Sequence, residues 1–219
     1  MMKNYSQRNE QEIILQYLSY KNLEFGRLLD IGAFDGETYS NTRAIMLKYP
    51  KWRGVFVEPS AYSFYKLFKL YQEEPSRAEL FNMIVSEENE INGSSFVEFY
   101  DTPTHSAASS IQISNVHRFI SKVDNNGLSI DPRKIFVGKI GLRELLKAFG
   151  GSNYDFINVD VEGNSAKMVL QEWFNPLNYG CKIICIEHDN QIQPLCEKFN
   201  NLGYNVIYHN DENLIFALQ

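Results

Sequence analysis

The sequence predicts an α/β fold, a mostly parallel sheet with helices on both faces and an antiparallel C-terminal hairpin strand. Three observations predict it. Strand-like apolar runs alternate with helix-like segments along most of the chain, the signature of successive βα units. The run holding Phe156, Ile157 and Val159 is apolar in the manner of a buried strand. The chain closes with "YNVIYH", the tight polar loop "NDEN" and "LIFALQ", which reads as a hairpin and therefore as an antiparallel finish. A length of 219 residues suits a single domain, residues 1–219, and there is no internal repeat and no Pro-, Gly- or Ser-rich linker.

The elements follow in order. Residues 6–20 form an opening helix with Ile13, Ile14, Tyr17 and Leu18 on one stripe, so the first 25 residues make an N-terminal helical segment. "RLLDIG" is a first strand and residues 37–48 a helix, ending at Tyr49-Pro50. "RGVFVEP" is a second strand, and residues 61–71 an aromatic-rich helix whose stripe is expected to face the core. "ELFNMIVS" is a third strand. From 87 to 133 the alternation breaks into a polar insertion holding one strand, "SSFVEFYD"; such a segment is expected to build an acceptor pocket or lid. "KIFVGKI" restores the pattern, followed by a helix over 142–149 closed by Gly150-Gly151. "YDFINVD" is a fourth principal strand, 165–173 a helix, "KIICIE" a fifth strand and 192–202 the last helix.

Composition narrows the function classes. The net charge of −6 argues against a nucleic-acid backbone as the main partner. No apolar run approaches the ~20 residues that span a bilayer, and "MMKNYSQRNEQEII" lacks the apolar core of a signal peptide, so a cytoplasmic location is expected. Cys181, Cys185 and Cys196 lack metal-type spacing and read as small core residues.

Ligands of open parallel sheets bind beyond the carboxyl ends of the strands. There the first strand gives "LLDIGAFDGETYS", in which Gly32 and Gly36 permit a tight turn and close backbone approach, with Ala33 and Phe34 inside it. The helix after the turn is expected to aim free N–H groups at the ligand. The second strand ends in Glu58, placed to accept both ribose hydroxyls of a nucleoside. Asp30 stands where a dinucleotide site has its first glycine. A carboxylate there repels phosphate and favours a cation, which points to S-adenosylmethionine, with its sulfonium and ammonium, rather than NAD.

These residues resemble the FkbM family of S-adenosylmethionine-dependent methyltransferases, over about residues 28–187. "LLDIGAFDGETYS" looks like the family's D-x-G-A-x-x-G turn, "VFVEPS" like its second-strand E-P motif, and "NMIVSE" like its third-strand ending. "DFINVDVEGNSAKMVL" resembles its D-x-x-K-I-D-x-E-G-x-E-x-x-V-L, with Asn158 in place of the usual lysine. The resemblance implies a Rossmann-like class I methyltransferase fold with seven strands. It also implies methyl transfer to a hydroxyl of a small-molecule or sugar-like acceptor. By its motifs Asp30, Gly32 and Gly36 line the methionine part of the cofactor, Glu58 takes the ribose, Asn82 or Ser86 lies near the adenine, and Asp160 sits beside the reacting methyl.

A hydroxyl acceptor needs a positioned base. Asp160 and Glu162 end one strand, and Glu187, His188 and Asp189 end its neighbour. His188 is the leading base by its ordinary pKa, with Glu162 orienting the acceptor and His105 a second candidate base. No metal-loop spacing is present and no metal is expected, the alternative being Mg²⁺ or Ca²⁺ held by the four carboxylates near one point to lower the acceptor hydroxyl's pKa. The expected partners are therefore the hydroxyl acceptor and the cofactor, without nucleic acid or a membrane span, and the oligomeric state is left open. Two other readings keep the fold: a non-catalytic S-adenosylmethionine-binding subunit and an NAD-dependent oxidoreductase.

Overall fold

The structure is a computed structural model describing residues 2–87, 96–102, 109, 132–148 and 153–219. The chain builds helix α1 (Glu10–Tyr20), strand β1 (Phe25–Ile31), α2 (Arg43–Lys48), β2 (Lys51–Val57), α3 (Ala61–Tyr71), β3 (Ala78–Phe81), β4 (Ile84–Ser86), β5 (Phe96–Asp101) and β6 (Arg133–Gly141). It continues with α4 (Leu142–Ala148), β7 (Phe156–Val159), α5 (Ser165–Val169), β8 (Ile183–Glu187), α6 (Ile192–Asn201), β9 (Tyr204–His209) and β10 (Asn213–Leu218).

Seven strands form one sheet in the order β3-β2-β1-β7-β8-β10-β9, with β10 antiparallel to both β8 and β9 and the other pairings parallel. This is the mostly parallel seven-stranded arrangement expected, and the C-terminal hairpin closes it as expected. The central strands read as continuous apolar runs because both sheet faces are covered. All four residues of β7 are buried, and in β8 only the terminal Glu187 is not. One face packs Leu145, Val169 and Phe199 from α4, α5 and α6. The other packs Ile14, Leu18, Ile45 and Leu67 from α1, α2 and α3. Full burial of each such side chain contributes about 1.5–3 kcal/mol.

The structure departs from the sequence expectations at four places. The helix expected over 37–48 forms only over Arg43–Lys48. The Asp35 carboxylate accepts the N–H groups of Glu37 and Thr38 at 3.0 and 2.7 Å, the Ser40 hydroxyl accepts that of Arg43 at 3.0 Å, and Tyr39 has φ 55°. These side chains offer the backbone an alternative to helix, so no helix follows Gly36 directly. The third strand breaks at Asn82-Met83, because the Asn82 amide donates to the carbonyls of Glu58 (2.8 Å) and Pro59 (3.0 Å). Beyond the break β4 joins a second sheet, β4-β6-β5, in which β5 runs antiparallel to β6. The helix expected over 165–173 ends at Val169. On α3 the stripe splits: Ser63, Leu67 and Tyr71 are buried, whereas Tyr62, Tyr65 and Phe68 are exposed.

Most of the insertion expected over 87–133, including His105, lies outside the described residues, as does Gly150-Gly151. Among the described residues no helix is long and apolar enough to cross a membrane, and no group of metal-ligating side chains is assembled.

Candidate functional site

A cavity of about 860 Å³ opens at the carboxyl ends of β1, β2, β7 and β8, closed on one side by β4, β5 and β6 of the small sheet. Its floor is the turn after β1. Gly32 has φ +86°, and a Cβ on it would meet the Asp160 carbonyl oxygen at 1.7 Å. Gly36 has φ +79°, with Leu67 and Leu70 of α3 within 2.8 Å of where a Cβ would stand. Only glycine fits either position. The turn is fastened to the sheet where Gly32 and Ala33 donate their N–H groups to the Val57 carbonyl at 2.9 and 3.1 Å.

Asp30 ends β1, 2% exposed. Its carboxylate accepts from the Thr42 hydroxyl at 2.6 Å and from the Asn158 amide at 2.9 Å. Burial pushes its pKa up, and these two donors only partly oppose that. Asn158, which replaces the lysine of the FkbM motif, is thus a neutral prop for Asp30. The chain of contacts continues: the Asn41 amide donates to the Asn158 side-chain oxygen at 3.2 Å and to the Cys185 sulfur at 3.5 Å.

Glu58 ends β2 with one backbone donor on each oxygen, Phe34 N–H at 2.9 Å and Ser60 N–H at 2.7 Å. Burial pushes its pKa up to about 8, with smaller contributions from the Asp101 and Asp30 charges and partial relief from the two N–H groups. The Ser60 hydroxyl donates to Asp101 at 2.6 Å and starts α3 as its N-cap.

Asp160, Glu162 and Glu187 come together at the ends of β7 and β8 and face the cavity. Burial first, then the neighbouring carboxylates, pushes the pKa of Asp160 up, and the same causes act on Glu187. The Ser165 hydroxyl donates to Glu187 at 3.2 Å and accepts from Val161 N–H at 2.7 Å, bracing the turn after β7 against β8. Asp189 is occupied at the start of α5, where it accepts the Ala166 N–H at 2.9 Å.

Of the expected site residues, Asp30, Gly32, Ala33, Phe34, Glu58, Ser86, Asp160 and Glu162 line the cavity. Three do not. Gly36 shapes the turn from beneath α3. Asn82 is spent on the Glu58 and Pro59 carbonyls. His188, the expected base, is buried away from the cavity. Its Nδ1 accepts the Asn190 N–H at 3.1 Å, so its Nε2 carries the proton and donates to the Asn210 carbonyl at 3.3 Å. The ring also lies 5.6 Å from that of His209. With both nitrogens used to tie the β8–α6 turn to the β9–β10 loop, His188 is a structural residue rather than a base. Sequence reasoning missed Asn41, Thr42 and Glu212. Asn41 and Thr42 belong to the tripeptide "SNT", whose polar character inside an expected helix was the available signal.

No family model and no curated protein matches the chain. Solved structures do. The N-terminal domain of human METTL16 aligns with a TM-score of 0.48 at 12% identity, covering 94% of this chain and 69% of that one. A candidate RNA methyltransferase from Pyrococcus horikoshii gives 0.46 at 12%, covering 95% and 82%. TrmK of M. capricolum, in complex with S-adenosylhomocysteine, gives 0.46 at 10%, covering 98% and 69%. At these identities the likeness is one of fold. Methyltransferases of this fold bind S-adenosylmethionine, as the demethylated product in TrmK and in METTL16 attests. The expectation of a small-molecule or sugar-like hydroxyl acceptor, with nucleic acid excluded, is corrected by these neighbours, because one of them is described as acting on RNA. What the chain shares with them is the fold of class I S-adenosylmethionine-dependent methyltransferases.

Proposed function

We propose that this chain is an S-adenosylmethionine-dependent methyltransferase whose single domain binds the cofactor across the ends of β1, β2 and β7. The observation that carries the reading is the pairing of the Gly32 turn with Glu58. A glycine-only turn packs directly against the Asp160 backbone and lines the cavity, and Glu58 is held in the cavity wall by the N–H of Phe34, a residue of the same turn. The cavity beside that turn takes a flat nucleoside, and the Glu58 carboxylate accepts its ribose hydroxyls. The FkbM-like motifs agree with this assignment of Asp30, Gly32 and Glu58.

When bound, the cofactor supplies an electrophilic methyl on a sulfonium. The chain's own task is to hold and align. Asp30, propped by Thr42 and Asn158, holds a buried carboxyl beneath the methionine end, where a cationic ligand would favour its ionised form. Asp160 and Glu187 stand where an acceptor proton would be taken, and holding the acceptor in line supplies much of the acceleration. The small sheet, with Val97, Glu98 and Phe99, forms the acceptor side together with Ser109.

Calorimetric titration with S-adenosylmethionine, S-adenosylhomocysteine and NAD tests the reading. Micromolar binding of the first two, lost in Gly32→Ala, is expected. Binding of NAD alone would overturn it.

A further inference from the structure

We propose that the exposed face of α3 binds a single-stranded nucleic acid, whose bases stack on Tyr62, Tyr65 and Phe68 while its phosphates meet Lys66 and Lys69. None of these residues lines the cavity, so the inference concerns a second surface and stands apart from the methyl-transfer reading.

Exposed aromatic surface is the first observation. An aromatic-rich helix on a core would turn its rings inward, yet α3 turns three outward. Tyr62, Tyr65 and Phe68 are 46%, 59% and 47% exposed, whereas Tyr71 is buried. The exposed residues of α3 are Ala61, Tyr62, Tyr65, Lys66, Phe68 and Lys69. With 3.6 residues per turn they occupy a single arc of about 160°. A contiguous group of large rings left in water on one helix face marks an interaction surface.

Charge is the second and independent observation. The chain carries 27 acidic and 21 basic residues, yet no Asp or Glu lies within α3. The nearest in sequence are Glu58, held in the cavity wall, and Glu73, beyond the C-cap at Gln72. Neither Lys66 nor Lys69 takes part in a salt bridge among the described residues. Each lies over the ring one turn before it: the Lys66 Nζ is 4.5 Å from the centre of Tyr62, and the Lys69 Nζ is 5.7 Å from that of Tyr65. The Lys69 Nζ also donates to the Gln72 side chain at 3.4 Å. The face is therefore positive and aromatic at once.

The chemistry selects the partner. A ring with an ammonium one turn on, repeated twice, matches the flat base and single phosphate of a nucleotide. Successive rings rise about 4.5 Å along the helix axis, and base–aromatic stacking takes any base because every base has a π-face. An ammonium covers at most one side of its ring, which leaves the other to a base. A duplex keeps its base faces inside its own stack, so the fitting partner is single-stranded. A lipid surface would call for aliphatic side chains, and this face has none larger than that of Ala61. An acidic peptide would use the two ammonium groups and leave the rings in water.

The test titrates the whole chain into labelled oligouridylate and oligothymidylate and reads fluorescence anisotropy at several salt concentrations. At least one strand should bind at low salt. Its log affinity should fall against log salt with a slope of about −1.4, from two phosphates at about −0.7 each. Tyr65→Ala should weaken binding by about fivefold or more, and Tyr65→Phe, which keeps the ring, should retain it. Lys66→Gln combined with Lys69→Gln should flatten the salt slope. Circular dichroism of the variants controls for folding. The inference is overturned if neither strand binds, if Tyr65→Ala binds as tightly as the parent, or if a duplex of the same length binds as tightly as the single strand. It is also overturned if a polyglutamate peptide or a phosphatidylserine vesicle binds this face in preference to the strands. Titration of Tyr65→Ala with S-adenosylmethionine should match that of the parent, so this inference and the methyl-transfer reading fail separately.

Discussion

Asp160 and His188 are neighbours at the sheet's upper edge with opposite fates. Asp160 looks into the cavity among other carboxylates, whereas His188 is locked by Asn190 N–H and the Asn210 carbonyl. The two substitutions therefore separate base from brace. Asp160→Asn should lower turnover by about a hundredfold or more, the usual worth of a positioned base. His188→Asn, whose side-chain oxygen can still accept the Asn190 N–H, should keep turnover within about twofold and lose only thermal stability. Steady-state rates at saturating cofactor measure both; a large rate loss in His188→Asn with an unchanged melting temperature would return the histidine to the reacting centre.

At the scale of elements, the site depends on how β7 and β8 are held at their ends. One hydroxyl, that of Ser165, joins the Val161 backbone to Glu187 across the two strands. Ser165→Ala leaves the half-buried Val161 N–H without its acceptor, which costs up to about 1–3 kcal/mol. For a chain of this size that is a fall of roughly 2–4 °C in Tm per kcal/mol. Calorimetry or circular dichroism reads the change, and an unchanged Tm would show that the turn after β7 is held some other way. The break between β3 and β4 has a similar cause. The Asn82 amide caps the end of β2, and the chain then leaves the main sheet to wall the cavity from the small one.

For the whole molecule, the buried acids of the site make stability depend on pH. Unfolded, its carboxyls titrate near 4; folded, Glu58 is pushed up to about 8 by burial, and Asp30, Asp160 and Glu187 move the same way. Between those values the unfolded chain binds fewer protons than the folded one. Stability therefore falls as pH rises from about 4.5 to about 8, and each tenfold gain in a group's proton affinity on folding is worth about 1.4 kcal/mol. The ligand-free protein should show a declining Tm across that window, and Glu58→Gln should flatten the slope. A Tm that climbed with pH would contradict the account of these buried acids. Cofactor affinity should run the other way, increasing toward about pH 8 as Glu58 ionises and accepts the ribose hydroxyls; calorimetry across the window measures it.

Local chemistry made much of this legible in one dimension. Apolar runs with period-two or continuous burial marked β1, β2, β7, β8 and the closing hairpin, because strands covered on both faces admit little else. Gly32, Gly36 and Glu58 marked the turn after β1 and the acid beside it, because a positive φ and a strand-end acid are properties of single residues at fixed places. Other features depend on contacts distant in sequence. Thr42 and Asn158 meet on Asp30 across 12 and 128 positions, and Asn158 looked like a lost lysine until its partner was seen. His188 read as a base from its residue type, but its orientation was set by loops 2 and 22 residues away. The sequence alone determined the sheet, its antiparallel finish and the glycine turn, since these follow from side-chain periodicity and backbone conformation. Only the tertiary structure decided which polar groups face the cavity and which are consumed in holding it, because that depends on the direction of each side chain and the nearest donor it finds.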